Sequence, residues 1–398
     1  MSFLTVAIRF AERMNNIGTE GAFVVLAKAR MLEAEGREIV HLEIGEPDFA
    51  TPDNIVESAV GALQSGFTHY TPAGGIMDVR AATARFVSQR LGVEVDPLEV
   101  VMVPGSKNVV LFTLLACVEA GEEVILPDPG YPAYESLVNF IGAVPRFVQL
   151  REESAFRIDL QELAGLVTNK TRLVIINTPQ NPTGGILTRD DVEFLARLAI
   201  DNDLLVLSDE IYSQIIYGDF EHVSPMSLPG MKERTVLLDG MSKAYAMCGW
   251  RLGYGVAPRV LAERMETLMI NSSSCAAAFT QMAAIEAFES PESELAVRRM
   301  VEEFQRRRDL MVDGLNRIPG FRCNKPDGSF YAFPNITETG IDERTLADRL
   351  LMEAGVAVLP GTAFGEGGRG YLRLAYTQSA PDLEKGLARI DEFMRTAS

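Results

Sequence analysis

The sequence predicts an α/β protein: a large domain built on a mostly parallel seven-stranded sheet covered by helices, with a smaller α+β domain. Three observations carry that reading. The chain has 398 residues, enough for one large domain and a smaller one. Between about residues 99 and 257, short β-branched runs alternate with helical stretches, the pattern of a sheet covered on both faces. From about residue 291 a long charged helix leads into a smaller mixed region that ends near 396.

Taken in order, the chain opens with a helix around 21–35, which Thr19 is placed to cap. Strands follow at "EVVMV" (99–103), "EVIL" (123–126), "RFVQL" (146–150), "RLVIIN" (172–177), "LLVLS" (204–208), "TVLLD" (235–239) and "LGYGV" (252–256). Helices fit at 107–119, 131–142, 189–202 and 259–270, and the long charged helix covers 291–316. "GEGGRG" (365–370) satisfies the glycine spacing of a dinucleotide loop, but no first βαβ strand precedes it. It reads as a flexible glycine loop, and a nicotinamide-dependent dehydrogenase falls with it.

Composition narrows the function. A net charge of −18 argues against nucleic acid as partner. The longest apolar stretch, 109–118, is about half of what a membrane span needs. The N-terminus lacks the basic-then-apolar pattern of a signal peptide, and four scattered cysteines form no CxxC pair. A cytoplasmic protein with reduced thiols is expected. His41, His69 and His222 carry neither HExxH nor nucleophile-elbow context, so no metal site and no serine hydrolase is expected.

The residues that look out of place sit just after predicted strands, where open α/β sheets bind ligands. "PGSKN" (104–108) is a Gly-Ser turn that opens a helix, and its backbone N–H groups suit a phosphate. "PDPGYPAY" (127–134) sets Tyr131 on a Pro-Gly turn. "TPQNPTG" (178–184) carries Asn181 between prolines. Asp209 and then Tyr212 follow the run 204–208; Ser242 and Lys243 follow 235–239. Each feature alone has an ordinary explanation: a helix cap, a turn, a packed ring, a lysine reaching for solvent. Their agreement on one sheet edge is the signal. An anion cradle, an aromatic ring, an amide, a carboxylate and an amine match pyridoxal 5′-phosphate. Lysine would form a Schiff base with its aldehyde, and aspartate would keep its pyridine nitrogen protonated.

These stretches, with "LEIGEPDFATP" (42–52), "HYTPAGGIMDVR" (69–80), "NTPQNPTGG" (177–185), "SDEIYS" (208–213), "SKAYAMCGWRLGY" (242–254) and "YLRLAY" (371–376), resemble the fold-type-I aminotransferases of class I and II, of the aspartate-aminotransferase type. The resemblance runs essentially end to end. It implies that Lys243 is the Schiff-base lysine, Asp209 the partner of the pyridine nitrogen, and Asn181 and Tyr212 the groups on the ring hydroxyl. Tyr131 would stack on the ring. Gly105, Ser106, Lys107, Ser242 and Arg251 would form the phosphate loop and its cationic support. Arg373 would clamp the substrate α-carboxylate beside the backbone of Gly45. Tyr70 would reach the phosphate of the other subunit, which implies a homodimer. Residues 1–50 and 286–398 would make the small domain, and 51–285 the large cofactor-binding domain.

The implied activity is transfer of an amino group from an L-amino acid to a 2-oxo acid by a ping-pong mechanism. A lyase or synthase of the same fold is the alternative, since it would share every cofactor residue. On side-chain choice, "INSSSCAAAFTQ" (270–281) lacks the arginine with which animal-type aspartate enzymes read an acidic substrate. Lys107 could read an acidic side chain or only line the phosphate loop, and both readings stay open.

Overall fold

The computed structural model describes residues 8–396. Seven strands form the central sheet: β1 (Val100–Val103), β2 (Glu123–Asp128), β3 (Val144–Gln149), β4 (Thr171–Asn177), β5 (Leu205–Asp209), β6 (Thr235–Gly240) and β7 (Gly253–Val256). Their order is β1-β7-β6-β5-β4-β2-β3, and only β7 runs antiparallel to its neighbours. All seven are the runs expected from the sequence. β1, β2, β6 and β7 are buried along their whole length, because helices cover both faces and β-branched side chains pack on each. Side chains alternate accordingly. Val124 and Leu126 of β2 pack into a cluster with Phe112 and Met265, while Ile125 between them packs on Leu195 and Ala199.

The expected helices are present as Gly21–Ala34, Lys107–Cys117, Pro132–Phe140, Arg189–Asp201, Arg259–Ser272 and Pro291–Leu315. One detail differs: Thr19 does not cap the first helix. Glu20 holds the N-cap position and makes no side-chain cap bond, because its carboxylate turns away to Lys107. Asp53–Gln64, Met77–Leu91 and Ala278–Glu289 are further helices that the strand–helix alternation did not reveal. The last of these presents Ala278, Ala283, Ala284 and Ala287 to the core, and small buried residues all round leave no polar face to read.

Beyond the large sheet, Leu359–Pro360, Leu372–Ala375 and Tyr331–Ala332 form a three-stranded antiparallel sheet. Val40–His41 pairs in parallel with Val356–Ala357, so the N-terminal segment is tied to the C-terminal part. Val40 and Leu42 share a buried cluster with Phe304, Leu350, Leu372 and Ile390. The glycine loop 365–370 is not loose. Gly367 N donates to Asp128 Oδ1 at 2.9 Å, and a Cβ at Gly365 would lie 2.2 Å from the same oxygen. The glycines are there for close approach to β2. All four cysteines are free. No helix among the described residues is long and apolar enough to cross a membrane.

Candidate active site

A cavity of about 530 Å³ opens at the C-terminal ends of β1, β2, β4, β5 and β6. Parallel strands end together, so the residues that follow them converge there. The cavity wall takes Ser106 and Lys107 from β1, Tyr131 from β2, Asn181 from β4, Asp209 and Tyr212 from β5, and Ser242 and Lys243 from β6. Arg251 joins them from the turn before β7. The opposite wall carries Gly45, Tyr331 and Arg373. Ten of the residues just named from the strand ends and the opposite wall were anticipated from sequence, together with Arg251; Tyr331 was not.

Lys243 is partly buried, and its Nζ donates to the carbonyl of Gly45 at 2.6 Å. Gly45 must be glycine: a Cβ there would fall 1.9 Å from Tyr331 Oη. Asp209 is the last residue of β5, buried, and accepts from Tyr134 Oη at 2.5 Å and from Ile211 N at 3.2 Å. Burial pushes its carboxyl up to about 6, and Asp239 and Glu210 add to this, while the Tyr134 hydrogen bond opposes it. Such a carboxyl gains from a cation that faces it. Asn177 ties the neighbouring turn down, donating to the Asp209 carbonyl at 3.0 Å and accepting from Asn181 N at 2.8 Å.

Arg373 lies on the strand Leu372–Ala375 and is 4% exposed. Its guanidinium lies between the rings of Tyr331 and Phe364, at 4.4 and 4.8 Å from their centroids. One arm donates to Asn181 Oδ1 at 3.2 Å and the other to the Glu43 carbonyl. Its Nε is buried without a partner. No carboxylate pairs with it among the described residues, and burial pulls its pKa down from the ordinary value. A planar fork in that state can accept an incoming carboxylate.

Tyr212 Oη and Tyr331 Oη lie 2.9 Å apart, and burial drives the Tyr212 hydroxyl well above its usual range, so it stays protonated. At the anion end, Ser106 Oγ donates to the Asp239 carbonyl at 2.8 Å and precedes the helix Lys107–Cys117. Gly105 does not line the cavity. It has φ +91°, and a Cβ on it would meet Arg251 Nη2 at 2.1 Å, so it makes room for that arginine. Lys107 pairs with Glu20 and sits 5.5 Å over the Tyr131 ring. Tyr70 is 87% exposed and does not line its own chain's cavity.

Sequence reading missed Tyr134, Tyr331, Asn177 and Glu20. Tyr134 had a signal, since it lies three positions after Tyr131, in the first turn of the helix that Tyr131 precedes. Asn177 had another as the last residue of a strand beside Asp209. Tyr331 and Glu20 had none, because they arrive from elements far along the chain.

The family model for aminotransferase class I and II matches residues 37–390. The chain is 41% identical over 360 residues to the aspartate aminotransferase of Pyrococcus abyssi, covering 90% of this chain and 92% of that one. It is 40% identical over 364 residues to aromatic-amino-acid aminotransferase 2 of Thermococcus litoralis, covering 91% and 93%. The solved aspartate aminotransferase of Thermus thermophilus with maleate superimposes with a TM-score of 0.93 at 35% identity, covering 97% of this chain and 100% of that one. The chain belongs to the class I and II aminotransferases, whose cofactor is pyridoxal 5′-phosphate.

Proposed function

We propose that this aminotransferase moves the amino group of an L-amino acid to a 2-oxo acid with Lys243 as its covalent anchor and proton carrier. The observation that carries the assignment is Arg373: a buried fork with no ion pair among the described residues, in the same cavity as the Lys243 amine and the Asp209 carboxyl.

The donor set fits the cofactor. Asp209, raised toward neutrality by burial, would hold the protonated ring nitrogen. Asn181 and Tyr212 would hold the ring hydroxyl, and Tyr131 would lie against the ring. The phosphate would take the backbone after Gly105, the hydroxyls of Ser106 and Ser242, and the charge of Arg251. Lys107 stands at the edge of that loop. Bound pyridoxal phosphate supplies an aldehyde that joins amines and a ring that withdraws electrons. Arg373 and the Gly45 backbone fix the donor's α-carboxylate and so orient its Cα. Lys243 Nζ would accept the proton that leaves Cα and deliver it to the carbon of the cofactor's former aldehyde group, two bonds from Cα. The aromatic wall of Tyr131, Tyr212 and Tyr331 limits water at that point.

The reading extends to a homodimer in which the partner's Tyr70 completes each phosphate site; the exposed ring of Tyr70 is not part of its own chain's cavity wall. It extends also to a division into 51–285 and a small domain of 1–50 with 286–398. The shared cluster of Val40, Leu42 and Leu372 supports the latter; residues 1–7 and 397–398 lie outside the described residues. A cytoplasmic location suits four free thiols. By name the relatives act on aspartate and on aromatic amino acids, and both are donors to try.

The test is a half-reaction. Holoenzyme mixed with one amino acid and no acceptor gives one equivalent of 2-oxo acid and a pyridoxamine spectrum. Continuous release of ammonia without acceptor would instead establish the lyase alternative.

A further inference from the structure

The cavity wall carries four cations, Lys107, Lys243, Arg251 and Arg373, and three carboxylates, Glu20, Glu46 and Asp209. The proposed function uses Lys243, Arg251 and Arg373 for the cofactor and the α-carboxylate, and Asp209 for the ring nitrogen. One cation remains for a substrate side chain: Lys107. It is already taken, because Glu20 closes an ion pair with it from the other side of the cavity mouth.

The position of Glu20 is fixed by its surroundings. It precedes the helix Gly21–Ala34 yet makes no cap bond to it. A Cβ added at Gly21 would meet Ala363 Cβ at 3.2 Å, and the next residue, Phe364, lies against Arg373. Glu20 is thereby held on the Arg373 wall and faces Lys107 and Tyr131 across the opening. Its side chain is 24% exposed and that of Lys107 is 47% exposed, so the pair is partly wet and exchangeable. Phe23, Ile44 and Tyr131 add apolar and aromatic surface to the cavity wall.

We propose that Glu20 is a specificity determinant that occupies Lys107 in place of a substrate carboxylate, so that the enzyme discriminates against donors and acceptors with an acidic side chain. A second carboxylate entering the cavity must displace Glu20 and then sit beside it. A neutral or aromatic side chain meets no such cost. The inference rests on the transaminase reading for the direction in which substrate lies.

The experiment measures binding of succinate and of butyrate to the pyridoxal-phosphate holoenzyme by calorimetry, in wild type, Glu20→Gln, Lys107→Gln and the double variant. Arg373→Lys serves as the control, and both acids must weaken in it. If neither does, the orientation of substrate is wrong and the transaminase reading fails at that point. With the control met, Glu20→Gln raises the succinate-to-butyrate affinity ratio by about two- to fivefold, as expected for one partly exposed charge. Lys107→Gln lowers the ratio, and the double variant loses the gain. Steady-state kinetics follow the same order: in Glu20→Gln the Michaelis constant for 2-oxoglutarate falls relative to that for pyruvate. An unchanged or lowered affinity ratio in Glu20→Gln overturns the proposal, as does a gain that survives in the double variant. A fall in melting temperature with no change in ratio would make the pair a structural latch and overturn it equally.

Discussion

Tyr134 donates a 2.5 Å hydrogen bond to Asp209 Oδ2, and both side chains are buried. The bond favours the ionised carboxyl against the burial that opposes it. Tyr134→Phe therefore leaves Asp209 more readily protonated. Holoenzyme turnover should fall about tenfold, with a shift of the acidic limb of the kcat profile to higher pH. An acidic limb that stays in place would show that Asp209 is held ionised by other means.

Lys243→Ala should cost at least about a thousandfold in kcat, because the other amine of the cavity wall, Lys107, is held in an ion pair with Glu20. Borohydride followed by mass spectrometry should fix cofactor to the wild-type chain and not to the variant. A reducible adduct in the variant places the anchor elsewhere.

Arg373→Lys should raise KM about tenfold or more for amino acids and oxo acids alike, since an ammonium cannot reproduce the two-pronged contact. Steady-state kinetics with an aromatic and an aliphatic donor read this. An effect limited to one side-chain type would move Arg373 into side-chain recognition.

Tyr70→Phe should loosen cofactor binding by roughly ten- to a hundredfold through loss of one hydroxyl on a dianion. In a mixed dimer of Tyr70→Phe with Lys243→Ala, action across the interface puts both lesions in one site and leaves the other intact. Finding no site of wild-type affinity and rate, or a fully active monomer, would remove Tyr70 from the partner's site.

His41 bonds Glu43 through Nδ1 at 2.8 Å and Glu33 through Nε2 at 3.0 Å. The Glu43 bond leads in raising the imidazole to about 9, against the opposing effect of burial. A raised histidine stabilises the fold fully below its ordinary value of 6.5 and loses that contribution as pH climbs through about 9. The melting temperature of wild type should therefore exceed that of His41→Gln at about pH 6, and the gap should close by about pH 10. A gap independent of pH would leave the histidine with only a packing role.

Much of the central sheet and of the cofactor end of the cavity was legible in the sequence. Runs of four to six residues in the sequence became β1 to β7, strands of four to seven. Asp209, Asn181 and Lys243 were found because each closely follows such a run, and parallel strands bring those positions to one edge whatever the side-chain details. Local periodicity therefore carried both the fold and the residues that ride on it.

The tertiary structure decided what lies opposite. Arg373 meets Asn181 across 192 positions of chain, Lys243 meets Gly45 across 198, and Tyr212 meets Tyr331 across 119. Glu20 leaves its own helix end for Lys107, 87 positions on. None of these pairs has a period or a motif of its own. They exist because the N-terminal segment pairs with Val356–Ala357, and both it and residues 212–217 pack with the C-terminal sheet, a docking set by apolar burial over many residues. Burial of that kind fixes where a wall stands without regard to which polar side chain it carries to the cavity.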